Sequence, residues 1–455
     1  MKENNLYQLD GRVPMMQAVP FGLQHVLAMF VSNVTPIIII ANVLNIDPKT
    51  SAALIQNCMF IAGIGTLVQL YPLWRVGSRL PIVMGISFSF LSAALYIGAS
   101  QGMGVLMGAV IIGGIVEGLL GLLAKYWIRI ISPIVAATVV TAIGFSLLPV
   151  GAYSFAGGQG AADFGSLQNW LVGSLTLLVC LGFQVFAKGF LQSLSILIGL
   201  IAGFLLAVCL GMVDFSGLQQ ASVISMPKLL PFKPEFDFGA TLSLIVIFLV
   251  SATETIGDTS ALCSSALHRE PTKRELGSAI SCDGFVSSVA GLFGCIPITS
   301  YSENVGLAAM SGVVNRFTIA VGACIMILGA IFPIVGIVLT TIPQAVLGGC
   351  SLIMFGSILY AGFGMMAKCG FDARNMVIVA TSLSIGLSFT QASDMFVIFP
   401  QIVRTIFAEN CVAIVFLLAI ILNLVLPKNE ALMSVSDKSR KDFSESLRPV
   451  LVKKG

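Results

Sequence analysis

Fourteen apolar stretches run through the chain, most of them close to the roughly 20 residues a helix needs to cross the hydrocarbon core of a bilayer. They span residues 16–43, 51–72, 81–98, 103–124, 131–153, 170–187, 190–212, 240–266, 276–296, 303–314, 317–337, 342–366, 375–390 and 408–427; 390–407 reads as interfacial. No soluble interior hides so many. Of 455 residues, 57% are hydrophobic and 10% charged, against about 25% charged in an ordinary globular protein. The solvent is therefore mainly lipid. Soluble enzymes, DNA-binding proteins and secreted disulfide scaffolds are excluded, and a net charge of +3 gives no case for a nucleic-acid partner.

Ten cysteines lie mostly inside apolar runs, where they read as small packing residues. No CxxC pair occurs and only His25 and His268 could join them. No metal site and no cofactor is expected. The opening MKENNLYQLDGRVPMM is polar and leads into a run long enough to span, so no cleavable signal is expected.

Loop charge tests the count. With the N-terminus placed in the cytoplasm, the loops then predicted inside carry Lys2, Arg12, Arg75, Arg79, Lys125, Arg129, Lys188, Arg269, Lys273, Arg274, Arg316, Lys368, Arg374 and the seven cations of the C-terminal tail. Only Lys49, Lys228, Lys233 and Arg404 fall outside. One miscounted helix would invert every later loop and destroy this asymmetry. An even count with both termini cytoplasmic is expected.

Fourteen divides into seven and seven, and an odd number per half makes the halves an inverted repeat. Pro133 opens PIVAATVVTAIGFSLL and Pro343 opens PQAVLGGCSLIMFGSIL, each the fifth segment of its half. The third segments share another oddity: RLPIVMGISFSFLSAA and GCIPITSYSENVGLAAMSG each run from proline through extended-type residues to a serine-rich point and then small residues. Non-helical backbone in a bilayer survives only where protein or a water-filled cavity satisfies it, and matched breaks in two repeats point to a transporter's binding site. Pro81–Gly85 and Pro297–Tyr301 are expected to be short extended stretches, paired antiparallel near the midplane. Half-helices would start near Ser87 to Ser89 and near Ser302 to Asn304, their free N–H groups facing the cavity.

Ionisable residues within spans are scarce and therefore informative. Glu254 and Asp258 in LVSATETIGDTSALCSS are i and i+4, on one helical face. A proton shared between neighbouring carboxylates suits proton coupling. Asp283 belongs to the next span, Glu303 heads the second half-helix, and His25 lies beside Gln24 on the first span. Nothing else marks the segment of Glu117, which reads as structural or interfacial. Carboxylates, backbone donors and the phenylalanines Phe88 and Phe90 suit a flat heterocycle with N–H donors and C=O acceptors. A metal cation would want more oxygen ligands, and a sugar more Asn, Gln and Trp.

The run SENVGLAAMSG resembles the signature of the nucleobase–ascorbate transporter family, with Glu303, Asn304, Gly306, Ser311 and Gly312 in its key positions. SATETIGDTSA resembles the family's eighth-span segment, GISFSF its third-span break, and Gln24-His25 its first span; the resemblance covers about residues 16–427. It implies an all-α polytopic membrane protein of 14 segments in two inverted seven-segment repeats, with segments 3 and 10 broken. Spans 1–4 and 8–11 would form a core domain, 5–7 and 12–14 a gate domain. The boundaries are then an N-terminal tail 1–15, core 16–124, gate 125–212, an extracellular loop 213–239, core 240–337, gate 338–427 and a cytoplasmic tail 428–455. By motif, Glu254 and Glu303 would hold the base, with Ser87, Phe88, Ser302, Asn304, Gln24 and His25 completing or supporting the site. Asp258, Asp283 and Glu254 would carry proton coupling. A homodimer through the gate domain is expected.

One departure matters. Purine members usually begin the signature with Gln-Asn, whereas Glu303-Asn304 looks like uracil-type members. Uracil-type members, however, tend to carry histidine where Asp258 stands, as xanthine-type members do not. The expected function is proton symport of xanthine or urate, with uracil symport as the alternative. An anion transporter of the same architecture is the rival from another class. An enzyme is not expected: no HExxH or GxxxxGK[ST] occurs.

Overall fold

The computed structural model of the chain describes residues 5–127, 132–214, 224–400, 403–404, 407 and 411–427. The C-terminal tail 428–455, Lys2, Arg129 and parts of 213–239 and 390–407 lie outside the described residues. Each of the 14 apolar stretches has a helical counterpart. In the first half these are α1 (Met15–Val43), α2 (Pro48–Leu70), α3 (Leu91–Gln101), α4 (Met103–Leu122), α5 (Pro133–Phe155), α6 (Leu167–Phe186) and α7 (Ser195–Cys209). In the second they are α8 (Phe238–Ser265), α9 (Lys273–Leu292), α10 (Ser302–Ser311), α11 (Arg316–Ala330), α12 (Gln344–Cys369), α13 (Ala373–Gln391) and α14 (Cys411–Val425). Seven of them (α1, α2, α4, α5, α6, α8 and α12) are by themselves long and apolar enough to cross a membrane, and α11 with the short helix Pro333–Thr340 forms a pair bent by 77°. The chain is a multi-pass membrane protein.

Short polar caps start these helices where the sequence supplies them. Asp47 accepts from Thr50 N at 2.9 Å to open α2, and these Thr50 hydrogen bonds hold its carboxyl below the usual carboxylate range. Thr272 and Glu275 form a reciprocal capping box at the start of α9. Pro133 sits in the first turn of α5 and Pro343 caps α12, the shared proline starts expected of the two halves.

Segments 3 and 10 are broken as the sequence predicts. Before α3 lies β1 (Met84–Ile86), and before α10 lies β2 (Ile298–Ser300). They pair antiparallel, Met84 opposite Ser300, Gly85 opposite Thr299 and Ile86 opposite Ile298. A two-stranded ribbon leaves its outer edges unpaired, and in a bilayer interior each such group would cost several kcal/mol. Side chains of the surrounding helices close them. Asn33 of α1 accepts from Ile86 N at 2.9 Å, Thr66 of α2 from Met84 N at 3.0 Å, and Ser287 of α9 from Ile298 N at 3.0 Å. The Tyr301 hydroxyl donates to Ile86 O at 2.8 Å. At the crossing, a Cβ on Gly85 would fall 2.5 Å from Tyr301 Cε2 and 2.8 Å from Asn33 Oδ1, so only glycine fits.

Helix packing concentrates in two groups, α1–α4 with α8–α11 and α5–α7 with α12–α14. Small residues draw the tightest pairs together. Gly114 and Gly121 of α4 face the backbone of Gly284 and Ser281 on α9, and Gly348 of α12 lies on the backbone of Phe155 in α5.

Loop contacts sort the two ends of the molecule. Asn315, before α11, donates to Asn5 O, Gln8 O and Gly11 O. Arg316 pairs with Asp10 and donates to Leu70 O at 3.3 Å. The N-terminal segment is therefore docked on this end, with Leu6 and Val13 buried against Val313. Midway along α2, Asn57 donates to Lys228 O at 2.9 Å and Phe293 O at 2.6 Å.

Candidate functional site

Beside the strand pair lies a cavity of about 310 Å³, lined from the first group of helices by Ser87, Phe88, Ser89, Glu254, Ser302, Glu303 and Gly306, among others. Val140 of α5 and Ser357, Ile358, Tyr360 and Ala361 of α12 form the opposing wall. The first turns of both broken segments border it, and a helix start leaves its N–H groups without intrahelical partners. Phe88 stacks edge-on against Phe355 at 5.3 Å, while Phe90 is fully buried against Phe248 at 4.6 Å. Of the two phenylalanines singled out by sequence, Phe88 faces the cavity and Phe90 belongs to the core.

The acidic pair of α8 divides its work. Glu254 accepts from the Ser89 hydroxyl at 2.7 Å, on the first broken segment. Asp258, one turn on, accepts from Ser300 at 2.8 Å and Ser302 at 2.6 Å, on the second. Both Asp258 oxygens are thereby used, and Asp258 is buried behind the cavity wall. Asp283 accepts from Thr255 and, at 3.1 Å, from Thr299. It joins α9 to α8 and β2 and is fully buried.

Asn304 donates to His25 O at 3.0 Å and lies 3.2 Å from His25 Nδ1. Both are buried and neither lines the cavity, so they tie α10 to α1. Gln24 is half-buried and also stands outside the lining. Of the eight expected substrate contacts, Ser87, Phe88, Glu254, Ser302 and Glu303 are brought together, and Gln24, His25 and Asn304 are outside the lining. Glu117 is fully buried, its backbone close to Gly284 of α9, and neither of its oxygens has a hydrogen-bond partner among the described residues. Burial removes the interfacial reading of Glu117.

Sequence reasoning missed the α12 wall, because Ser357, Ile358, Tyr360 and Ala361 carry no polar pattern that separates them from a lipid-facing helix. It also missed Asn33 and Thr66, single polar residues in apolar helices whose roles depend on the strands they meet. The glycine series around Glu117 was a readable signal of close helix packing.

The family model Xan_ur_permease, described as "Permease family", matches residues 16–395. The chain belongs to this permease family. The permease is 34% identical over 441 residues to Xanthine permease XanQ of Escherichia coli (strain K12), covering 93% of this chain and 94% of that one. It is 33% identical over 384 residues to Uric acid permease PucK of Bacillus subtilis (strain 168), covering 84% and 89%. Among solved structures, the transmembrane domain of the cyanobacterial bicarbonate transporter BicA aligns with a TM-score of 0.59 at 14% identity, over 89% of this chain and 98% of that one. That likeness is one of fold. The chain is a permease and not an enzyme.

Proposed function

We propose that this permease is a proton-coupled symporter of an oxidised purine, xanthine or urate, working by alternating access. The observation that carries the reading is that Glu254, Glu303, Phe88 and two helix starts line one and the same cavity. Carboxylates accept from ring N–H groups, helix-start amides donate to ring carbonyls, and Phe88 covers the π-face. A cavity of about 310 Å³ suits one planar base. XanQ and PucK, by their names a xanthine and a uric acid permease, bracket the same substrates.

The α1–α4/α8–α11 group is the core and α5–α7/α12–α14 the gate, together crossing the bilayer fourteen times. With loop charge setting the N-terminal end in the cytoplasm, the cavity faces inward. Gly306 and the exposed Tyr360 lie between the strands and that end, towards which α10 runs before Gly312 meets Tyr7. A homodimer through the gate stays part of this reading on the family resemblance alone.

Glu254, Asp258 and Asp283 supply the proton-carrying groups, tied through hydroxyls to both broken segments. Uracil symport remains the second reading because Glu303 stands where purine members carry glutamine. The anion-transporter reading shares the fold, but two carboxylates facing one cavity oppose anion binding. The deciding experiment is labelled xanthine uptake against excess urate, uracil, guanine and hypoxanthine. Competition by urate with none by uracil is expected; competition by uracil alone would overturn the purine assignment.

A further inference from the structure

A second cavity, of about 290 Å³, lies at the end of the α4–α9 pair and shares no lining residue with the acidic site. Arg75 from the loop after α2, Lys125 after α4, and Lys273 and Arg274 at the start of α9 all line it, over a floor that includes Gly121 and Gly277. No carboxylate is among its lining residues. The nearest acid in sequence, Glu275, is already engaged by Arg269 at 2.6 Å and 3.0 Å and by Thr272. Two cations on the first turn of a helix oppose its dipole. Convergence of four positive side chains on one concavity therefore disfavours the unliganded state and favours an anion.

The surroundings identify the anion's carrier. Ile115, Leu119 and Leu123 are exposed at i, i+4 and i+8 and form an apolar track along α4 that leads to the cavity. At 1.5 Å per residue the track is about 12 Å long, enough to lie along part of an acyl chain. Trp74 and Tyr126, 77% and 68% exposed, are the chain neighbours of the lining residues Arg75 and Lys125. Their neighbours Arg75 and Lys125 lie over their rings at 5.8 Å and 4.5 Å. Exposed aromatics paired with cations are the mark of the headgroup layer.

We propose that this cavity binds the phosphate of an anionic phospholipid, with its acyl chain along the α4 track. The full-length protein in a mild neutral detergent is titrated with phosphatidylglycerol, phosphatidylcholine or inorganic phosphate, and retention is read by native mass spectrometry. The same titrations follow for Lys273→Gln/Arg274→Gln and, on a different element, Arg75→Gln. Each charge near an anionic surface is worth about 1 kcal/mol, so each loss should weaken phosphatidylglycerol about fivefold and the double variant about 25-fold. Base binding at the acidic site should be unchanged, which also shows that the variants are folded. Phosphatidylcholine should be retained weakly. Equal phosphatidylglycerol affinity in Arg75→Gln and wild type would overturn the site. Displacement of the lipid by millimolar inorganic phosphate would overturn the lipid source and make the cavity a site for soluble phosphate.

Discussion

Ser89 donates a 2.7 Å hydrogen bond to Glu254, joining the first broken segment to α8, while Asp258 one turn away holds the second through Ser300 and Ser302. One helix thus grips both halves of the strand pair through two carboxylates. On the proposed function, a change in charge at either one would alter a contact that positions a half-helix and so couple binding to movement of the backbone.

Glu254→Gln should remove most substrate affinity. Losing a charged acceptor costs about 1.5–3 kcal/mol, or roughly 10- to 150-fold in Kd. Equilibrium binding to purified protein measures it. Wild-type affinity would place Glu254 outside the substrate contacts.

Ser89→Ala should act through Glu254. The carboxylate stays but loses the donor that aims it, so Kd should rise by about fivefold, the equivalent of about 1 kcal/mol. Calorimetric titration of both variants and the double variant tests the coupling. If the two effects simply add, Ser89 does not work through Glu254.

Glu303→Gln exchanges an acceptor for a group that accepts and donates. The amide oxygen can still take a ring N–H, and its NH₂ can serve a carbonyl or a deprotonated ring nitrogen. Xanthine uptake should persist while relative preference shifts towards urate. Paired uptake at fixed pH reads the ratio; loss of both activities with normal membrane expression would favour the uracil reading.

Uptake should depend on a proton gradient, since four buried or half-buried carboxylates, Glu254, Asp258, Asp283 and Glu303, cluster at the strand pair. Vesicles with an imposed pH step and no sodium provide the assay. Transport that continues undiminished after a protonophore is added would refute proton coupling.

Gly85→Ala should destabilise the protein by about 1–3 kcal/mol, the usual cost of overpacking. The new methyl would meet Tyr301, Met29 and Asn33 at the point where the two strands cross. Thermal unfolding in detergent gives the comparison, and an unchanged Tm would mean that the ribbon can shift to make room.

Hydropathy and loop charge are properties of the chain alone, so the apolar segments and the grouping of their loops were legible before any fold was known. Matched prolines and serine-rich points marked both breaks, because extended backbone within a bilayer demands unusual residues. The carboxylates stood out for the same reason: an ionisable group in an apolar span is costly unless it has a use. Tertiary structure decided which of those residues meet. Phe88 and Phe90 are two positions apart, yet one faces the cavity and the other the core. His25 and Asn304 lie 279 residues apart and form a hydrogen-bonded strut, while Gln24 next to His25 stands aside. Ser357 and Tyr360 become a wall only because α12 packs on α5 opposite the strand pair. A periodic apolar pattern shows that a helix has a buried face but not which neighbour buries it, since that choice depends on close packing between segments far apart in the chain.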